Sequence, residues 1–99
     1  MRPTDVERER LLDVSELEAP EPLVRALAAV QALPAGAYLR LRHRMKPCHL
    51  YSHLEQQGFD ADTRQGEGVA CEVFIWRHDE IDARNAAQAA ASLLKPWKD

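Results

Sequence analysis

Two early segments of the chain have hydrophobic and polar patterns that predict strands. Residues 10–14, with three apolar residues of five, predict a short strand, and residues 37–43 alternate regularly. Because successive side chains of a strand point to opposite faces, the second segment has two distinct faces. One predicted face carries Ala37, Leu39, Leu41 and His43, and the other carries Tyr38, Arg40 and Arg42.

Helical spacing replaces this alternation in residues 20–33 and 47–57. Pro34 and Gly36 end the first predicted helix, and Gly58 ends the second. The side chains expected to face a core are Leu23, Val24, Leu27 and Val30 in the first helix, and Leu50, Tyr51 and Leu54 in the second.

Two further strands follow, over residues 59–64 and 69–76, joined by a glycine-containing turn that predicts an antiparallel hairpin. Asp82 or a neighbour is expected to cap a third helix over residues 83–94. This helix is rich in alanine, so it needs a surface to dock on, either its own sheet or a second copy of the chain. Its large apolar groups are Ile81, Leu93, Leu94 and Trp97.

The order of elements predicts an α/β two-layer sandwich. A strand–helix–strand unit usually pairs its strands in parallel through a right-handed crossover. The β-α-β-α-β-β order therefore predicts a mixed four-stranded sheet with two helices on one face, followed by an extra C-terminal helix. We divide the chain into a flexible arm (1–9), the sandwich domain (10–78) and a helical extension (79–99).

Composition narrows the protein class without identifying a reaction. A chain of 99 residues with 45% hydrophobic residues suits one globular domain. Its net charge of −3 gives no general reason to bind nucleic acid or an acidic membrane. No apolar run approaches membrane-spanning length, and the charged N-terminus lacks a signal-peptide core. We therefore expect a cytoplasmic protein in which Cys48 and Cys71 are reduced thiols.

The start of the first helix, Ala19-Pro20-Glu21-Pro22, resembles that of the TusA-like (SirA-like) sulfur-carrier domains. In those domains this helix opens with Cys-Pro-x-Pro, and the cysteine carries a persulfide. Here both prolines are present, but Ala19 stands in place of the cysteine. The resemblance implies the same two-layer architecture and kinship with sulfur-relay proteins, while the alanine argues against persulfide transfer at this position.

Several motifs are similar to those of domain of unknown function family 2249. The similar segments are Ala19 to Leu23, Leu33 to Gly36, Pro47 to Tyr51, Leu54-Glu55 and Gly58-Phe59. This resemblance covers residues 10–78 and implies hemerythrin-like or cupin-type partners in respiratory nitrogen metabolism. Many members have a histidine before the second helix; alignment through Pro47 places Met45 there, so a function of that histidine is in doubt.

Both predicted helices follow parallel strands, so their N-termini should open at one edge of the sheet. Ligands of α/β proteins commonly bind at this carboxyl edge, where helix N-termini favour anions. We expect a ligand or partner edge there, formed by Ala19, Glu21, His43, Arg44, Lys46, Cys48 and His49.

Cys48 is the candidate reactive thiol of this edge. A thiol in the first turn of a helix, near basic residues, is favourable for a thiolate that carries sulfur or senses redox change. The alternative is that Cys48 is a small, partly buried apolar side chain, as free cysteines often are. Cys71 lies in an apolar strand and is expected to be inert.

Two further hypotheses are that the chain binds a metal or haem, or that it binds a nucleic acid. His49 and His53 are four residues apart, a spacing that can hold a metal or haem, with further ligands from His43, Cys48 or Met45; it is equally common on solvated helices. The basic run of residues 40–46 is a candidate site for RNA, a phosphate or an acidic partner surface. The net negative charge and the few aromatic residues placed to stack on bases favour a solvated strand face instead.

No catalytic motif is present, so we do not expect an enzyme and assign no cofactor. The interpretation carried forward is a non-catalytic binding or adaptor module with a protein partner. The alternatives are a thiol-based sulfur-transfer or redox protein using Cys48, and a metal- or haem-binding domain using His49 and His53. We also expect no membrane or nucleic-acid partner, while residues 82–97 leave a homodimer open.

Overall fold

In the computed structural model, residues 8–98 are described, and they form four strands and three helices. The strands are β1 (Glu9–Asp13), β2 (Tyr38–His43), β3 (Phe59–Gln65) and β4 (Cys71–Arg77), and the helices are α1 (Glu21–Gln31), α2 (Cys48–Gln56) and α3 (Ile81–Ala91). The order confirms the predicted β-α-β-α-β-β chain with an extra helix. Most of the predicted arm lies outside the described residues, and Glu9 belongs to β1.

The sheet is mixed, as predicted, with the strand order β1-β2-β4-β3. Strand β1 is parallel to β2, with Leu12 opposite Leu41. Strand β4 is antiparallel to both β2 and β3. Because β1 and β2 are parallel, their carboxyl ends lie at the same edge of the sheet. The helices that follow them, α1 and α2, consequently begin at that edge.

Helices α1 and α2 pack on one face of the sheet and enclose the larger core. This core includes Ala26, Val30, Leu39, Leu41, Leu50, Leu54, Val73 and Ile75. The prediction that Val24 faces the core is wrong, because its residue is 56% exposed. The buried positions of α1 are Pro22, Ala26 and Val30, which are four residues apart and so share one face of the helix.

Helix α3 covers the opposite face of the same sheet. Its buried residues, Ala83, Ala87 and Ala91, pack with Tyr38, Phe74, Trp76 and Leu94. The small alanine side chains let the helix approach the sheet closely, so the helix docks within its own chain. The molecule therefore has three layers where α3 lies.

The ends of α3 differ in detail from the prediction. Its N-cap is Glu80 rather than Asp82 or an immediate neighbour. The Glu80 carboxylate does not cap its own helix but accepts a hydrogen bond from the Gly36 N–H at 2.6 Å. Within residues 8–98, none of the helices is long and apolar enough to cross a membrane.

Candidate functional site

A tight connection leads from β1 to the start of α1. The Asp13 carboxylate accepts hydrogen bonds from the Ser15 hydroxyl (2.6 Å) and the Ser15 N–H (2.9 Å), which lower the pKa of Asp13. Val14 is fully buried and accepts a hydrogen bond from the Leu17 N–H at 3.0 Å. These contacts stabilise the tight connection between β1 and α1.

The first turn of α1 follows from the two prolines. The Ala19–Pro20 peptide bond is cis, and Pro20 is the N-cap of α1. Proline suits the first turn because its missing N–H would have no helical partner there. The first intrahelical contact is the hydrogen bond from the Val24 N–H to the Pro20 carbonyl at 3.1 Å.

Strand β2 leads into α2 in a similar way. The strand ends at His43, and Pro47 is the N-cap of a helix whose first residue is Cys48. The Leu50 N–H donates to the Pro47 carbonyl at 2.9 Å. Both helices thus begin with proline at the carboxyl edge of the parallel strand pair.

A groove of about 360 Å³ lies between these two helix starts. Its walls come from the β1–α1 and β2–α2 connections and from the first turns of both helices. The lining residues are Leu17, Ala19, Pro20, Pro22, Leu23, Leu41, His43, Arg44, Met45, Lys46, Pro47, Cys48, His49 and Leu50. Seven of these fourteen residues are leucine or proline, and none of them is aspartate or glutamate.

The structure brings together six of the seven residues that the sequence placed at this edge. They are Ala19, His43, Arg44, Lys46, Cys48 and His49. Glu21 is not part of the groove. Its side chain is 55% exposed, and its carboxylate pairs with Arg25 at 3.3 Å, one helical turn along α1. Pro22 and Leu23, from the same turn, face the groove instead.

His43 is the buried polar side chain of the groove. Its residue is only 6% exposed, and its Nδ1 accepts a hydrogen bond from the Met45 N–H at 3.2 Å. Burial, together with the charge of Arg44, lowers the pKa of His43. The ring is therefore neutral at pH 7, and because Nδ1 accepts, the ring proton is on Nε2.

The two thiols lie in contrasting environments and are not bonded to each other. Cys48 is exposed at the first turn of α2 and lines the groove. Cys71 is fully buried in β4, and burial raises the pKa of its thiol to about 11. Cys71 is therefore protonated at neutral pH, while Cys48 is the thiol that a ligand can reach.

The histidine pair on α2 does not extend to a larger ligand set. His49 lines the groove, whereas His53 lies one turn further along the helix and outside it. Across residues 8–98, no group of three or more histidine, cysteine, aspartate or glutamate side chains is arranged to hold a metal ion.

The basic run splits between the two faces of the sheet. Arg40 and Arg42 point to the face away from the groove, where both pair with Glu72, at 2.6 Å and 3.4 Å. Glu9 and Asp13 add further ion pairs to these arginines. Sequence reasoning missed this network, although a single carboxylate within the apolar run of β4 was a visible signal.

Comparison with known proteins identifies one family. The family described as "Uncharacterized conserved protein (DUF2249)" matches residues 11–77, which contain β2, β3, β4, most of β1 and every residue that lines the groove. No match was found among curated proteins or among solved structures.

Proposed function

The chain belongs to the DUF2249 family of uncharacterised conserved proteins, and we propose that it is a non-catalytic binding module, an adaptor for a protein partner. The groove between the starts of α1 and α2 carries this proposal. It combines an apolar floor with the cationic Arg44 and Lys46, and no carboxylate lies among its described lining residues. A partner segment with an apolar side chain beside a negative charge fits that combination.

We further propose that the module is related to the TusA-like sulfur-relay domains. Its support is the double-proline start of the first helix and the two helices on one face of a mixed sheet. At the carrier position, Ala19 has only a methyl group, which cannot hold sulfur. Under this proposal, the chain shares the fold of the TusA-like domains but uses the same edge of the sheet for a different function.

A second candidate function is sulfur transfer through Cys48, favoured by its exposed thiol in the groove. In this reaction the Cys48 thiolate attacks the terminal sulfur of a donor persulfide. A new S–S bond forms on Cys48, the donor S–S bond breaks, and the donor leaves as a thiolate. The step needs no external oxidant, because the sulfane sulfur moves between two thiols.

Native mass spectrometry of the protein purified from its own organism, without reductant, separates these functions. The adaptor predicts a stoichiometric partner complex that Cys48→Ser retains and that Met45→Glu removes. Met45 is 57% exposed in the groove, so the new carboxylate should repel an acidic ligand without disturbing the core. Leu93→Glu, at an 84% exposed position on the far side, is the matched control.

The alternative outcomes are distinct. A species heavier by one sulfur atom, mapped to Cys48 and absent from Cys48→Ser, would replace the adaptor with the sulfur carrier. A mass increase equal to that of a metal ion or a haem, lost when His49 and His53 are both changed, would support the metal- or haem-binding alternative. A partner complex that survives Met45→Glu would move the binding surface away from the groove.

A further inference from the structure

We propose that the groove recognises the C-terminal carboxylate of a partner chain that ends in an apolar residue. This inference rests on the proposed binding function and names the part of the partner that enters. The carboxylate would lie between the starts of α1 and α2, with the last side chain on the apolar floor.

Two first-turn backbone N–H groups of the groove make no hydrogen bond within the described chain. The N–H groups of Val24 and Leu50 bond to the proline carbonyls of their own first turns, at 3.1 Å and 2.9 Å. The N–H groups just before them, those of Leu23 and His49, have no backbone acceptor among residues 8–98. Both residues line the groove, and unpaired first-turn N–H groups with the helix dipole favour an anion.

The His43 ring provides an independent third donor. Its one hydrogen bond within the described chain is made at Nδ1, which accepts the Met45 N–H. The protonated Nε2 therefore has no acceptor there, although the residue is 94% buried, being 6% exposed, and lines the groove. Among residues 8–98, the one buried side-chain polar atom without a partner is Trp76 Nε1, so His43 Nε2 is reached by solvent and is open to a ligand oxygen.

The shape and charge of the groove select a chain end rather than an internal acidic residue. In a C-terminal residue, one carbon joins the carboxylate to the side chain, so both can enter a small site together. Leu17, Leu41 and Leu50 offer an apolar floor, and Arg44 adds positive charge. Capture of a terminal carboxylate by convergent backbone N–H groups is a known mode of peptide recognition.

Titration with short peptides tests the inference. The probes are two acetylated pentapeptides that end in leucine, one with a free carboxylate and one amidated, followed by ¹H–¹⁵N NMR. We expect the free acid to bind about tenfold more tightly than the amide, because the charge-assisted hydrogen bonds are lost in the amide. The amide signals of Leu23 and His49 and the His43 ring nitrogens should shift.

Variants check that the effect comes from the groove. Arg44→Glu and Met45→Glu should abolish the preference for the free acid, whereas Arg84→Glu on α3 should preserve it. His43→Asn should weaken free-acid binding and leave the weaker amide binding unchanged. If His43→Asn does not fold, the two exposed groove variants still decide the question.

Several results would overturn the inference. Equal affinity for the acid and the amide, or NMR shifts confined to residues outside the groove, would rule out recognition of a carboxylate by the groove. Binding of octanoate without binding of the free-acid peptide would identify a small acid in place of a chain end. A native partner complex that Met45→Glu removes, with no peptide binding, would contradict this inference but retain the adaptor function.

Discussion

At the residue scale, Glu72 and His43 show how burial can favour opposite protonation states. The side chain of Glu72 is 0% exposed. Burial acts to raise its pKa, but hydrogen bonds from Arg40 and the Glu67 N–H, with the charges of Arg40 and Arg42, outweigh it and lower the pKa. His43 has no such partner, so burial keeps it neutral.

Replacing the Glu72 carboxylate with an amide tests this network. Glu72→Gln leaves Arg40 and Arg42 facing a neutral group, and we expect a loss of about 2–3 kcal/mol in the free energy of unfolding. This is less than for a fully buried pair, because both arginines are partly solvated and retain Glu9 and Asp13. Urea unfolding at pH 7 measures the loss.

The control for this change is Glu21→Gln, which removes the exposed pair with Arg25 and should cost less than about 0.5 kcal/mol. The lowered pKa of Glu72 also gives a pH signature. Its contribution is present above the ordinary value of 4.5 and is lost as the pH falls through the folded-state pKa. The difference between wild type and Glu72→Gln should therefore shrink below pH 4.5; a constant difference would contradict the assignment.

At the scale of elements, α3 shows how a helix whose large apolar residue, Ile81, is exposed is held in place. Ala83, Ala87 and Ala91 form a strip of small side chains that are fully buried. The strip lies on Phe74 and Trp76 of β4. The helix is therefore held by close packing of its backbone and alanine side chains against β4, without burial of large side chains of its own.

Enlarging one residue of this strip should separate the helix from the sheet. We expect Ala87→Leu to lower the free energy of unfolding by about 1–3 kcal/mol, because the leucine cannot fit against β4 without displacing the helix. The measurement is thermal or urea unfolding, with near-ultraviolet circular dichroism to report the packing of Trp76. Ala89→Leu, at an exposed position of the same helix, should leave the stability almost unchanged; equal losses would refute the docking.

At the scale of the whole molecule, both faces of the sheet are covered by the chain itself. The family match ends at residue 77, before α3, so in this chain the second face is covered by a segment beyond the matched region. Leu94 is buried with α3, and Trp97 packs against the core on the other face. Leu93 and Ile81 are the exposed large apolar residues of this extension.

These two residues are too few for a stable apolar interface, so we expect no dimer through residues 82–97. Sedimentation velocity over a wide concentration range measures the association state. Leu93→Glu should not change it, since the residue would have no partner. A wild-type dimer that dissociates in Leu93→Glu would instead establish the homodimer considered for residues 82–97.

The order of the elements and the two faces of β2 follow from local patterns in the amino-acid sequence. Periodicity and the positions of proline and glycine are local properties, so they predicted each element to within three residues. Parallel pairing of β1 and β2 followed from the crossover rule, and it placed both helix starts at one edge. The sequence therefore predicted the edge of the sheet at which the groove lies and most of the polar residues that line it.

Which side chains share that edge, and which charges are neutralised by partners, depends on the folded chain. In the folded chain, Glu21 and Val24 are exposed to solvent. Arg40 and Arg42 pair with Glu72 of the neighbouring strand, and α3 packs on the second face of the sheet. Folding also buries His43 and places its Nδ1 as the acceptor of the Met45 N–H. Each of these outcomes depends on contacts between residues distant along the chain, which local periodicity does not encode.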